Sequence, residues 1–169
     1  MDLSTTYLGL SLPHPLMPGA SPLVDDLDMV KRLEDVGAAA IVMHSLFEEH
    51  ITGERARTLH QIETHANSFA EAPSYFPDRP GLSVGPEPYL EQIRRIKAAV
   101  HVPVIGSLNG TTATGWLDFA RLIQQAGADA IELNFYVVAT DPLEQGEAVE
   151  QRALDIPRKV KASVPIPVA

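Results

Sequence analysis

The sequence predicts an α/β fold: an incomplete (β/α)8 barrel of about four and a half strand–helix units behind an N-terminal β-hairpin. Two internal repeats and a regular alternation of strand-like and helix-like segments carry this reading. Glu34–Ser45 (E-D-V-G-A-A-A-I-V-M-H-S) parallels Gln124–Phe135 (Q-Q-A-G-A-D-A-I-E-L-N-F). Each copy reads as a helix end, a glycine, a short turn and an apolar strand. Glycine suits the residue after a helix because that position commonly takes a positive φ. Lys97–Val104 (K-A-A-V-H-V-P-V) likewise parallels Lys161–Val168 (K-A-S-V-P-I-P-V). The apolar runs Ala40–Met43 and Ala130–Leu133 suit parallel strands buried on both faces. Strands alternating with helices imply right-handed crossovers in one parallel sheet. An open doubly wound sheet has the same order; the likeness of the repeat units and the polar residues after every strand favour the barrel.

Each element has its own signal. Ser4–Leu8 and Leu10–Leu12 flank Gly9 and form a hairpin. A first barrel strand follows near Leu16–Met17. Asp25 or Asp26 caps a helix that carries Leu27, Val30, Leu33 and Val36 near one face and ends at Gly37. After the strand at Ala40–Met43, the stretch from about Glu48 to Gly85 is long for a strand-to-helix connection, and such loops are commonly functional. Pro88 opens a helix with Tyr89, Ile93, Ile96 and Val100 inward. Thr114 caps a helix carrying Leu117, Ala120, Ile123 and Ala126 that ends at Gly127. Trp116 and Phe119 read as packing residues of that helix. The last helix, about Gln145 to Ala162, is expected to be interrupted near Pro157, because an interior proline removes a hydrogen bond. The final strand ends at Ala169 with nothing after it to cover it. Residues 1–169 are therefore expected to be the first part of one larger repetitive domain whose C-terminal half is absent.

Composition narrows the function. The chain has 169 residues, 45% of them apolar, and a net charge of −9. That charge argues against nucleic-acid binding, which uses a basic surface. There is no cysteine, which excludes disulfides, thiolate catalysis and cysteine-ligated metals. No apolar run approaches the roughly 18–20 residues that span a membrane, and M-D-L-S-T-T-Y lacks the pattern of a signal peptide; a cytoplasmic location is expected. The histidines His14, His44, His50, His60, His65 and His101 show no metal-ligand spacing, so no metal is expected. No G-x-S-x-G, G-x-x-x-x-G-K-[ST] or G-x-G-x-x-G motif occurs.

In a parallel barrel, chemistry sits at the C-terminal strand ends. Here these are Gly19-Ala20-Ser21, His44-Ser45, Ser107-Leu108-Asn109-Gly110 and Asn134-Phe135-Tyr136. Small residues beside amides and hydroxyls suit a flat polar heteroaromatic ligand. Plain structural roles stand beside this reading: a turn at Gly19, a backbone partner for His44, helix capping by Ser107 and Asn109, an ordinary loop residue at Asn67. Asn134 follows a buried apolar strand, where a polar side chain needs a partner.

These strand ends, with Leu3–Leu10, His14–Ser21, the unit around Gly37, Asn67-Ser68-Phe69, Val104–Gly110 and Ala130–Asn134, resemble the dihydroorotate dehydrogenase family of FMN-dependent TIM barrels, over its N-terminal half. The resemblance implies an oxidoreductase of pyrimidine metabolism that acts on a CH–CH bond of dihydroorotate or a related dihydropyrimidine. It implies FMN as cofactor, with Ala20, Ser21, His44, Ser45, Ser107, Asn109 and Asn134 around it, and Asn67 and Asn134 on the substrate. His44 stands where the family has a lysine. Phe135-Tyr136-Val137-Val138-Ala139 lacks the family's serine or cysteine base, which leaves Tyr136 as the acid in that stretch. Phe69-Ala70-Glu71 replaces a Met-Gly-Leu-like segment. The resemblance also implies that the fragment alone is inactive, and that a second copy or the C-terminal half completes it. Two other readings stand beside it: a degenerate barrel half acting as a non-catalytic interaction module, and a phosphate-ligand barrel with isomerase or lyase chemistry.

Overall fold

The computed structural model describes residues 1–53, 85–136 and 140–169. Strands β1 (Thr5–Tyr7) and β2 (Leu10–Leu12) pair antiparallel, with Thr5 opposite Leu12. Leu8 and Gly9 join them with φ of 51° and 71°, the paired positive φ values that tight hairpins require. A 3-10 turn (Pro22–Asp25) leads into α1 (Leu27–Asp35). Then come β3 (Ile41–Phe47), α2 (Glu87–Ala99), β4 (Val104–Asn109), α3 (Ala113–Gln125), β5 (Ala130–Leu133) and α4 (Gly146–Ser163). Residues 48–53 are helical. No helix among the described residues is long and apolar enough to cross a membrane.

The repeats fold alike. Gly37 and Gly127 both follow helices with φ of 94° and 99°. Ala38 N donates to Leu33 O at 2.9 Å, and its counterpart Ala128 N donates to Ile123 O at 3.4 Å. Both helices therefore close through the same glycine cap. Asp26 caps α1, accepting from Asp28 N at 2.9 Å and Met29 N at 3.4 Å. The cap of α3 is Thr112 rather than Thr114: its hydroxyl accepts from Gly115 N at 2.9 Å. The buried side of α3 is Trp116, Ala120 and Ile123, whereas Leu117 is only half-buried.

The expectation of an incomplete (β/α)8 TIM barrel is not met. The described residues form a two-stranded sheet and a separate three-stranded parallel sheet in the order β3-β4-β5. Closure requires each edge strand to find a partner around a ring, and this sheet is open; the fold is α/β. Leu16–Met17 forms no strand. Among the described residues its ladder-like contact is Leu16 O, which accepts from Ala39 N at 3.0 Å. Pro13, Pro15 and Pro18 have no N–H to give a ladder. The last expected strand is reduced in the same way to a parallel bridge between Val168 and Ile131, with Pro165 and Pro167 in the run. The break expected at Pro157 is absent, and α4 continues through it to Ser163. Its packing, with Val160 buried in the main core, offsets the lost hydrogen bond.

The sheet's two faces differ. One packs on the helices around Ile41, Met43, Leu90, Ile93, Ile96, Leu108, Ile123 and Ile131. The other is apolar at its N-terminal end, where Ala40, Val42, Ile105 and Ala130 meet Leu12 and the hairpin. Side chains two apart share a face, so Ser107 and Asn109 continue the row of Ile105, and Glu132 and Asn134 continue the row of Ala130. This face therefore turns from apolar to polar along the strands.

Candidate functional site

A β-bulge builds the polar end. Register runs Ile41 to Val104 and Val42 to Ile105, then resumes with Ser45 opposite Ser107. Met43 and His44 thus oppose Gly106 alone. The extra residue reverses the alternation and turns Ser45 onto the face of Val42, where Ser107 already lies. Gly106 is closely packed from behind: a Cβ there would meet Ile123 Cγ2 at 2.4 Å.

Three of the residues singled out in the sequence meet here. Ser45 Oγ and Ser107 Oγ are 2.9 Å apart. Asn134 Nδ2 donates to Ser107 Oγ at 2.8 Å and Ser45 Oγ at 3.1 Å. It also lies 3.4 Å from Glu132 Oε1. An amide nitrogen has two hydrogens, so this network consumes the donors of Asn134 and leaves its carbonyl to accept. One hydroxyl hydrogen of the serine pair bridges the two oxygens, and the other remains to donate. Asn109 lies on the same face; it is 6% exposed, and its buried Nδ2 has no partner among the described residues. A buried donor without an acceptor is unusual.

The other named residues lie apart from that network. His44 packs its ring edge-on against Tyr89, with centroids 5.2 Å apart. Its Nδ1 is 3.0 Å from Asp25 Oδ1 but out of hydrogen-bonding alignment. Ser21 opens the 3-10 turn, and Ala20 is exposed. Gln92 Nε2 pins that turn by donating to Val24 O at 2.7 Å and Asp25 O at 3.2 Å. Tyr136 is 75% exposed. Asn67, with Phe69 and Glu71, lies outside the described residues.

Three contributors escaped the sequence reading as site residues. Glu132 shares the polar face. Glu48, directly after β3, is 5% exposed. It accepts from Thr111 N at 2.6 Å, Thr112 N at 2.9 Å and Thr112 Oγ1 at 2.5 Å. Burial pushes its pKa up, but the bonds from Thr112 and Thr111 outweigh that and hold it below the usual carboxylate value. Tyr89 is buried on α2; its hydroxyl donates to Ser107 O and accepts from Ser107 N, both at 3.0 Å. Burial, with the Glu132 charge adding to it and the Ser107 bond opposing it, raises the Tyr89 pKa, so the phenol stays neutral. The glycine at 115, inside the first turn of α3, was the available signal for Glu48, because a Cβ there would lie 2.2 Å from its carboxylate. No local signal marks Tyr89, since an inward tyrosine on a helix reads as packing.

No family model matches the chain. It is 30% identical over 99% of its length to the catalytic subunit of dihydroorotate dehydrogenase B (NAD(+)) of Thermoplasma acidophilum, of which it covers 53%. It is 29% identical over 79% of its length to the NAD-dependent dihydropyrimidine dehydrogenase subunit PreA of Escherichia coli, of which it covers 32%. A dihydrodipicolinate synthetase-type structure from Pseudomonas aeruginosa aligns with 90% of the chain and 42% of its own length, at 20% identity and a TM-score of 0.47. The chain spans about half the length or less of the curated relatives it matches. Its homologues are thus dihydroorotate and dihydropyrimidine dehydrogenase subunits, in line with the resemblance to the dihydroorotate dehydrogenase family.

Proposed function

From this kinship we propose that the chain is part of an FMN-dependent oxidoreductase acting on a CH–CH bond of a small dihydropyrimidine-like ring, dihydroorotate or a relative. The observation that carries the reading is the meeting of Ser45, Ser107 and Asn134 beside the orphaned Asn109 donor. A flavin ring edge offers carbonyl acceptors and an N–H donor. The donor set fits it: Asn109 Nδ2 and a serine hydroxyl supply hydrogens, and the Asn134 carbonyl and Glu132 carboxylate accept. FMN, when bound, supplies hydride acceptance. The chain's own residues bind and orient, and Asn134 is placed to hold cofactor or substrate. In this reading Ala20 and Ser21, which lie apart from the Ser45–Ser107–Asn134 network, are further flavin neighbours, and so is His44, held between Asp25 and Tyr89. Asn67 is the further substrate contact in this reading. The catalytic base is unassigned, and Tyr136 is the candidate acid in the stretch after Asn134.

The test is the visible spectrum of the purified protein titrated with FMN, then with dihydroorotate and dihydrouracil. Flavin bands near roughly 370 and 450 nm that bleach with a dihydropyrimidine support the assignment. A folded protein that takes up no flavin overturns it.

A further inference from the structure

Within one strand, backbone groups face the two neighbouring strands alternately. Pro103 O accepts from Ile41 N on the β3 side, at 2.8 Å; Val104 O and Leu108 O accept from Asp129 N and Asn134 N on the β5 side, at 2.8 and 2.9 Å. Ser107 N–H and C=O therefore face β3. At that point β3 bulges, with two residues opposite Gly106. The Tyr89 hydroxyl bonds both groups at the bulge, donating to Ser107 O and accepting from Ser107 N, at 3.0 Å each. A phenol suits this place because its oxygen donates and accepts at once. Its ring is fixed by burial in the main core and meets the edge of His44, one of the two bulged residues.

We propose that Tyr89 is a positioning residue, whose hydroxyl clasps the Ser107 backbone beside the bulge and holds the bulge that aims Ser45 at Ser107 and Asn134. A regular β3 would place Ser45 on the opposite face. Tyr89 acts on the cluster through the backbone of Ser107 and needs no ligand contact. The proposal deepens the flavin reading by naming what pre-forms its site, and that part rests on it.

The experiment compares wild type with Tyr89→Phe by NMR and by FMN titration. Ile93→Val serves as a core-packing control. We expect the Ser107 amide to exchange on the order of tenfold faster in Tyr89→Phe, the equivalent of one lost net hydrogen bond. The Asn134 side-chain amide signals are expected to move as they do in Ser45→Ala, and FMN affinity to fall by about tenfold. Ile93→Val should leave the Asn134 signals in place. Unchanged Ser107 exchange or unmoved Asn134 signals in Tyr89→Phe would overturn the positioning role, whatever flavin does. Wild-type protein without FMN affinity would sink the flavin assignment alone, because the two NMR readouts still decide the role of Tyr89. Should Tyr89→Phe not fold, 3,5-difluorotyrosine at position 89 preserves the ring and weakens the acceptor. It should shift the Ser107 amide and the Asn134 signals together; movement of neither refutes the proposal.

Discussion

The Glu48 carboxylate binds both the backbone N–H and the hydroxyl of Thr112, at 2.9 and 2.5 Å. It joins the end of β3 to the start of α3. A carboxylate at a helix N-terminus is favoured by the dipole there and by the unpaired N–H groups. Replacing Glu48 with Ala removes the charge-assisted bonds to Thr111 and Thr112, which are themselves exposed, at a cost of about 1–3 kcal/mol. Because the folded pKa lies below the ordinary value, this stability is complete above the ordinary carboxylate range and is lost as pH falls through the depressed folded value. Urea unfolding should show a wide gap between wild type and Glu48→Ala at neutral pH that narrows in acid. A gap of constant size would refute the assignment.

Gly115 should invert the usual helix rule. Ala normally stabilises a helix interior over Gly by about 1 kcal/mol. Here the added Cβ would lie 2.2 Å from the Glu48 carboxylate. Gly115→Ala is expected to destabilise wild type and to stabilise the Glu48→Ala variant. Thermal melts of the four proteins form a double-mutant cycle, and a sign that does not reverse would count against the contact.

Asn109 carries a buried nitrogen that has no partner among the described residues. Asn109→Leu replaces it with an apolar side chain of similar size and removes an unpaired donor worth about 1–3 kcal/mol. The melting temperature should rise while FMN affinity falls, a trade expected of ligand-facing residues. A variant that is less stable yet binds flavin as before would show Asn109 to be ordinary packing.

Asp129 ties three elements at the opposite end of the sheet. It accepts from Lys97 Nζ at 2.7 and 3.0 Å and from Val104 N at 2.7 Å. Both side chains are 30% exposed. Asp129→Ala should cost about 1–2 kcal/mol, mostly through the Val104 amide, because the ion pair is partly screened by water. Lys97→Met should cost less, and high salt should shrink its effect further. Equal losses in the two variants would contradict that division.

What the sequence determined alone is what local chemistry decides. Gly9 and the flanking strand residues sufficed for the hairpin, the Asp25-Asp26 pair for the start of α1, and Gly37 and Gly127 for twin helix ends, because turns and caps depend on neighbours a few residues away. The polar strand ends pointed to Ser45, Ser107 and Asn134 before any contact among them was visible. Tertiary structure decided the rest. A period-two pattern cannot register the extra residue at Met43-His44, so the bulge that turns Ser45 is silent in the sequence. The partners of Tyr89 and Glu48 lie far along the chain, and no local pattern names them. The sheet stays open because pairing at its edges is a matter of backbone geometry, in which the prolines near Leu16 and Val168 withhold the donors that the apolar pattern promised.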